Sequence, residues 1–384
     1  MKILIGADIV PTAKNIKYFE ENEIYNIIND DLYDILNEAD YRIFNLETPL
    51  SNKLTPISKN GPCLSASTKS ARGLKGLNVD FVTIANNHIL DQGVEGLYST
   101  ISELEKNKIC FAGAGKNLEN AIKPFVLIKD GIKIGIYCCA EHEFTIANQF
   151  SAGANPFDCL ESLDHIVNLK EKCDYVIILY HGGKEHYRYP SPNLQKRCRK
   201  MVEKGADLVV CQHSHCIGCE ENWNNGKIIY GQGNFIFLDE VNEFWATSLL
   251  VMLDINKNEN KISYIPLVND GVRTKLAIKN EKDEILKMFY SRSKEITNEI
   301  IVFEKYKEFA KSEENYYLGE FCGKKTTKIF YRMFNKLSHY QFGKLMFNMN
   351  FPIMLRNKLL NHIECEAHRE LIIEILKNGK NKKK

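Results

Sequence analysis

The sequence predicts an α/β fold of four layers, an α/β/β/α sandwich, with a mostly helical C-terminal appendage. Three observations carry that prediction. Through the first two-thirds of the chain, short β-rich apolar runs alternate with amphipathic helical stretches, as in a sheet flanked by helices. Between Phe125 and Leu276 further strands follow one another without helices between them, which calls for a second sheet packed on the first. After Lys279 the strand pattern stops and helical periodicity takes over.

In chain order, strands are expected at residues 2–5, 42–45, 81–85, 109–112, 132–138, 175–180, 208–212 and 228–231. The run Val176-Ile177-Ile178-Leu179 has the continuous apolar character of a strand buried on both faces. Helices are expected at residues 24–39, 93–106, 160–172 and 192–204, and later strands at 247–255, 262–268 and 272–278. The spacing predicts helix again over 281–311 and in parts of the remainder up to Lys377. With 384 residues, the chain divides into a large domain, 1–279, and an appendage, 280–384. No internal repeat is visible. The tail from Lys377 to Lys384 carries five lysines and is expected to be disordered.

Composition narrows the class. Hydrophobic residues make up 44% and charged residues 26%, the balance of a soluble globular protein. A formal net charge of +2 argues neither for nor against nucleic acid, and no nucleic-acid partner is expected. The apolar run at the N-terminus stops at Asp8, too short for a signal peptide, and no run approaches the ~20 residues of a membrane span. The expected location is therefore cytoplasmic, with the twelve cysteines as reduced thiols. Cys216 and Cys219 form a lone C-x-x-C, for which zinc would need two further thiol or imidazole ligands, and read as buried small residues.

The chemistry gathers at strand ends. Asp8, Glu47, Asn87, His181 and the pair His213 and His215 each follow an expected strand, and the carboxyl ends of strands are where α/β sheets bind ligands. Carboxylate, amide and imidazole without thiolate suit Mn²⁺, Fe or Zn²⁺. Two such ions ~3.5–4 Å apart clamp a phosphate and activate water, with Glu47 able to bridge them. His88, beside Asn87, is then free to protonate the leaving oxygen, with Asp91 as its orienting partner. Plainer roles are open to each residue alone: turn or cap for Asp8, solvated turn for Glu47, left-handed turn for Asn87, helix cap for His88 and Asp91. The His-x-His spacing places both imidazoles on one face, because alternate strand residues point the same way.

Read together, these motifs resemble those of the CapA family of capsule and poly-γ-glutamate synthesis proteins, within the calcineurin-like metallophosphoesterase superfamily. The matching strings are Gly6-Ala7-Asp8, Asn45-Leu46-Glu47, Asn86-Asn87-His88-Ile89-Leu90-Asp91-Gln92-Gly93, His181-Gly182-Gly183-Lys184-Glu185 leading to Pro190, Gly205-Ala206-Asp207 leading to His213-Ser214-His215, and Tyr230-Gly231-Gln232-Gly233-Asn234-Phe235. The resemblance spans roughly residues 1–250. It implies a metallophosphoesterase-like fold with two divalent ions, one at Asp8, Glu47 and His215 and the other at Glu47, Asn87, His181 and His213. Where the superfamily has D-x-H, this chain has Asp8-Ile9-Val10, which leaves the first ion one ligand short, and Glu47 stands for the usual bridging Asp. The expected activity is metal-dependent hydrolysis of a phosphoester or related bond, linked to capsule, polysaccharide or poly-γ-glutamate metabolism. The alternative is a non-catalytic component of a capsule assembly complex that binds an anionic polymer.

The appendage has its own pattern. From Phe321 to Ile363 there is no Asp or Glu, while Lys324, Lys325, Lys328, Arg332, Lys336, Lys344, Arg356 and Lys358 are interleaved with aromatics and methionines. Lys328, Arg332 and Lys336 would share one helical stripe. Such a segment can lie on an anionic membrane surface, hold an acidic polymer or a partner enzyme, or pack its aromatics on the main domain with the cations solvated.

Overall fold

The structure, a computed structural model, describes residues 1–237, 242–256, 260–271, 273–321, 329–365, 368–369, 372–373 and 376. Two compact units stand out, Met1–Tyr306 and Lys307–Lys384.

The first unit contains two large sheets. In the first, the strands run Thr274–Leu276, Asn260–Asn269, Thr247–Ile255, Lys2–Ile9, Tyr41–Leu46, Phe81–Thr83 and Cys110–Ala112, with Asn234–Ile236 joined beside the end of Lys2–Ile9. From Lys2–Ile9 to Cys110–Ala112 the pairing is parallel, so four strand ends share one edge. The second sheet runs Glu220–Trp223, Gly226–Tyr230, Leu208–Gln212, Tyr175–His181, Ile132–Ala140 and Phe125–Lys129, its four middle strands parallel.

The side-chain period of two explains the layers. Along Tyr175–His181, Ile177 and Leu179 enter the core shared with the first sheet, whereas Val176, Ile178 and Tyr180 enter a separate core on the other face. That outer core takes Leu194, Cys198 and Met201 from the helix Pro192–Glu203, and Ile166 and Leu169 from Ser162–Lys170. The first sheet is covered in turn by Leu32 and Leu36 of Asp30–Glu38 and by Leu97 and Leu104 of Gly93–Lys106. Helix, sheet, sheet and helix are the four layers the sequence predicts. Each such buried aliphatic side chain contributes roughly 1.5–3 kcal/mol. Helix starts are set locally: Ser191 Oγ accepts from Leu194 N at 3.1 Å, and Pro192 opens the first turn of Pro192–Glu203.

One detail of the first strand positions the site. Pairing with Tyr41–Leu46 slips between Ile5 and Asp8, so three steps on one strand oppose two on the other, a bulge. At Gly6 within it a Cβ would lie 2.1 Å from a ring carbon of Phe44, so only glycine allows this approach.

The expected helix at 24–39 is broken. A 3-10 turn, Ile24–Asn26, precedes the helix Asp30–Glu38, because Ile27 and Ile28 are buried between them and Ile28 bridges to Thr274. The strand expected at 272–278 is Thr274–Leu276, and Val272 lies outside the described residues. Helix begins at Lys279, where the sequence changes character, but the first compact unit continues to Tyr306. Phe289, Arg292 and Ile296 of this stretch are buried within it.

The second unit is helical, with Ile329–Leu337, Gln341–Asn350 and Ile353–Glu364. Asn335 Oδ1 accepts from Gly343 N at 2.8 Å, Lys344 pairs with Glu314 at 2.6 Å, and Phe347 stacks on Phe351. Lys324, Lys325, Lys328 and the expected disordered tail 377–384 lie outside the described residues, as do the side chains of Phe330, Tyr331 and Arg332. No helix among the described residues is long and apolar enough to cross a membrane.

Candidate metal centre

Both sheets deliver side chains to one place. Asp8, Glu47 and Asn87 come from strand ends of the first sheet, and His181, His213 and His215 from those of the second. All six are buried; Asp8 and Glu47 have no exposure at all, which removes the solvated-turn role for Glu47.

Around His181 Nε2 lie Asn87 Oδ1 at 3.0 Å, His213 Nδ1 at 3.1 Å and Glu47 Oε1 at 3.2 Å. Two ligands each ~2.1 Å from one ion, at octahedral to tetrahedral angles, stand ~3.0–3.4 Å apart. Each of the three atoms therefore stands at coordination-shell spacing from His181 Nε2. On the other side of Glu47, His215 Nδ1 is 3.5 Å from Asp8 Oδ2 and 4.0 Å from Glu47 Oε2. Asp8, Glu47 and His215 form one group with metal-ligand spacing, and Glu47, His181 and His213 another, so Glu47 belongs to both. These are the two groupings implied by the resemblance, apart from the amide of Asn87.

The electrostatics ask for a cation. Among the described residues no hydrogen-bond partner reaches Asp8 Oδ2 or either carboxylate oxygen of Glu47, although all three are buried. Burial, with the Asp8 carboxylate beside it, pushes Glu47 well above the usual carboxylate range. Burial likewise drives His181 and His213 well below the usual imidazole range, so both are neutral with a free lone pair. Orphaned carboxylate oxygens facing neutral imidazoles are costly alone and are satisfied together by divalent ions. The donor set fits.

The loop holding His213 and His215 departs from the expected geometry. The strand Leu208–Gln212 ends before them, and pleat alternation does not align the pair. Instead both adopt left-handed backbone conformations, φ 91° at His213 and 52° at His215, each costing roughly 1–3 kcal/mol for a non-glycine residue. Their rings lie 6.0 Å apart.

Beside the metal groupings, His88 Nδ1 lies 2.5 Å from Asp91 Oδ2. The other Asp91 oxygen is 2.5 Å from Lys59 Nζ, and Leu64 N donates to the carboxylate at 2.6 Å. Lys59 also stands 3.1 Å from His88 Nδ1, and its side chain is only 3% exposed. An amide network holds the Asp8 carboxylate: Asn45 Nδ2 donates to Asp8 Oδ1 at 2.7 Å, and Asn86 Nδ2 donates to Asn45 Oδ1 at 3.0 Å. Asn234 Oδ1 sits 2.8 Å from His215 Nδ1.

Several of these residues escape the sequence reading. Glu141 follows the strand Ile132–Ala140 and reaches 3.9 Å from His213 Nε2; the strand-end rule that selects His181 would have selected it too. Burial pushes its carboxyl up to about 7. Glu185 groups with His213 and His215, and sits in the same string as His181. Lys59 belongs to an irregular segment and gives no signal. Val10, at the position of the absent D-x-H histidine, packs with Phe237 and Trp245, whose rings lie 5.6 and 5.2 Å from His215. Cys216 and Cys219 are buried, and no cysteine joins a metal grouping among the described residues.

Comparison with known sequences and structures gives consistent matches. The family described as bacterial capsule synthesis protein PGA_cap matches residues 2–239. PGA biosynthesis protein CapA of Bacillus subtilis (strain 168) is 29% identical over 227 residues, covering 57% of this chain and 59% of that protein. Capsule biosynthesis protein CapA of Bacillus anthracis is 27% identical over 180 residues, covering 45% and 44%. The chain thus spans about half the length of the curated relatives it matches. Among solved structures, a putative 5'-nucleotidase from Staphylococcus aureus superposes with a TM-score of 0.45 at 15% identity, covering 75% of this chain and 57% of that one.

Proposed function

The chain belongs to the PGA_cap family of bacterial capsule synthesis proteins, and from that premise we propose that it is a metal-dependent hydrolase of the metallophosphoesterase type, acting on an anionic phosphoester or related bond in capsule or poly-γ-glutamate metabolism. The observation that carries the reading is the shell around His181 Nε2, with three further donor atoms at 3.0–3.2 Å and the orphaned oxygens of Asp8 and Glu47 beside it. Asp8, Glu47 and His215 would hold one ion, and Glu47, Asn87, His181 and His213 the other. Mn²⁺, Fe or Zn²⁺ suits this set, and such ions supply Lewis-acid activation of the reacting ester.

The chain's own groups divide the remaining work. Asp91 fixes the His88 ring through Nδ1, which leaves Nε2 as the nitrogen that gives a proton to the leaving oxygen. Lys59 neutralises Asp91 from the other side and holds it in place. The Asn86–Asn45–Asp8 hydrogen bonds orient the first carboxylate. Val10, Phe237 and Trp245 wall His215 from water, which strengthens every charge interaction nearby.

Val10 also favours a second reading. With valine in place of a ligand, the first ion has fewer donors, as expected of a family member that binds an anionic polymer without cleaving it. The test is the full chain, loaded with Mn²⁺ or Zn²⁺, against a panel of phosphomonoesters and phosphodiesters. Turnover that chelation abolishes supports the hydrolase. A metal-loaded chain that binds poly-γ-glutamate and turns over none of the panel supports the second reading.

A further inference from the structure

The Lys307–Lys384 unit combines two properties that seldom occur together on a free surface. From Phe321 to Ile363 there are eight Lys or Arg and not one Asp or Glu. The helices of the unit also leave large aliphatic side chains in water: Met333, Leu337, Met349, Ile353, Met354 and Leu360 are each 50–76% exposed. On Ile353–Glu364 the apolar residues Ile353, Leu360 and Ile363 recur with Arg356 at i, i+3, i+7 and i+10, which places them on one helical stripe.

We propose that this unit docks on an anionic lipid membrane, lying within the headgroup layer. The choice of occupant follows from satisfying charge and apolar surface together. A second copy docked through the same face would cover the aliphatic side chains but set Lys336, Arg356 and Lys358 against their own counterparts, with no Asp or Glu between Phe321 and Ile363 to pair them. An anionic polymer would neutralise the cations but offers no hydrocarbon to Met349, Ile353 or Leu360. A bilayer rich in acidic lipid supplies both: phosphates for Lys336, Arg356 and Lys358, and the acyl boundary for the aliphatic face. Arg356 is ordered for the task, with Nε donating to Phe351 O at 2.8 Å and its guanidinium above the Phe347 ring. Binding of this kind is peripheral, in keeping with the absence of a spanning helix among the described residues.

The experiment is co-sedimentation of the full chain with vesicles of phosphatidylcholine alone or mixed equally with phosphatidylglycerol. The proposal expects partitioning onto the mixed vesicles at least about tenfold stronger than onto phosphatidylcholine, and weakening as salt is raised. Lys336→Glu with Lys358→Glu should cost about tenfold or more in binding. Ile353→Ser with Leu360→Ser should also release the chain, because the headgroup layer needs both contributions. Equal partitioning onto the two vesicle types overturns the proposal and requires no variant. So does wild-type retention by the Ser pair, which would leave an electrostatic polymer surface. A dimer by light scattering that dissociates in the Ser pair assigns the face to a second copy, and overturns it as well.

Discussion

Lys59 lies in an irregular segment, yet its ammonium touches Asp91 and the His88 ring. With side chains 3% and 0% exposed, Lys59 and Asp91 form a buried pair. Removing one partner of such a pair leaves an uncompensated charge, so Lys59→Met should destabilise the fold by roughly 3–5 kcal/mol. Denaturant unfolding measures this directly, and a loss below about 1 kcal/mol would show that Asp91 does not depend on Lys59. His88 calls for the opposite outcome. Replacing it with Asn should leave fold and metal intact while turnover falls ~10²–10⁴-fold, the usual scale for a lost general acid. Steady-state kinetics on the best substrate found would decide it, and unchanged turnover removes His88 from the chemistry.

Elements set the residues in place, and here the sequence is read only in part. The rule that candidate ligands follow parallel strands picks out Asp8, Glu47, Asn87 and His181, which the structure brings together, because strand ends are visible as the close of an apolar run. The rule fails in detail at His213 and His215, since nothing in Gln212-His213-Ser214-His215 announces two left-handed backbone conformations. The break in the helix expected at 24–39 is equally silent, because it depends on Ile28 meeting Thr274 far along the chain. The Gly6 bulge is legible only afterwards, once Phe44 is seen against it. It yields a prediction at this scale. Gly6→Ala should cost about 1–3 kcal/mol by overpacking against Phe44, and Phe44→Leu in the same chain should restore part of the loss. Thermal unfolding of the single and double variants tests the coupling; additive losses would place the strain elsewhere.

At the scale of the molecule, two separately wound sheets meet at one edge, and the candidate ligands are divided between them. Asp8, Glu47 and Asn87 stand on one side, His181, His213 and His215 on the other. Ions held there would tie the sheets together, so metal binding should raise stability by mass action, about 4 kcal/mol at a thousandfold excess over Kd. Chelation should accordingly lower the melting temperature of the full chain, and re-addition of Mn²⁺ or Zn²⁺ should restore it.

The central claim, that this edge is a two-ion centre with Glu47 between the ions, is tested most directly by elemental analysis of the purified full chain and of His181→Ala. The account predicts about two divalent ions per chain in the parent, with the variant keeping roughly one. The same loss is expected in His213→Ala, because both imidazoles belong to the grouping that shares only Glu47 with Asp8 and His215. A parent chain that takes up no divalent ion after loading, or both variants retaining its full content, would contradict the account.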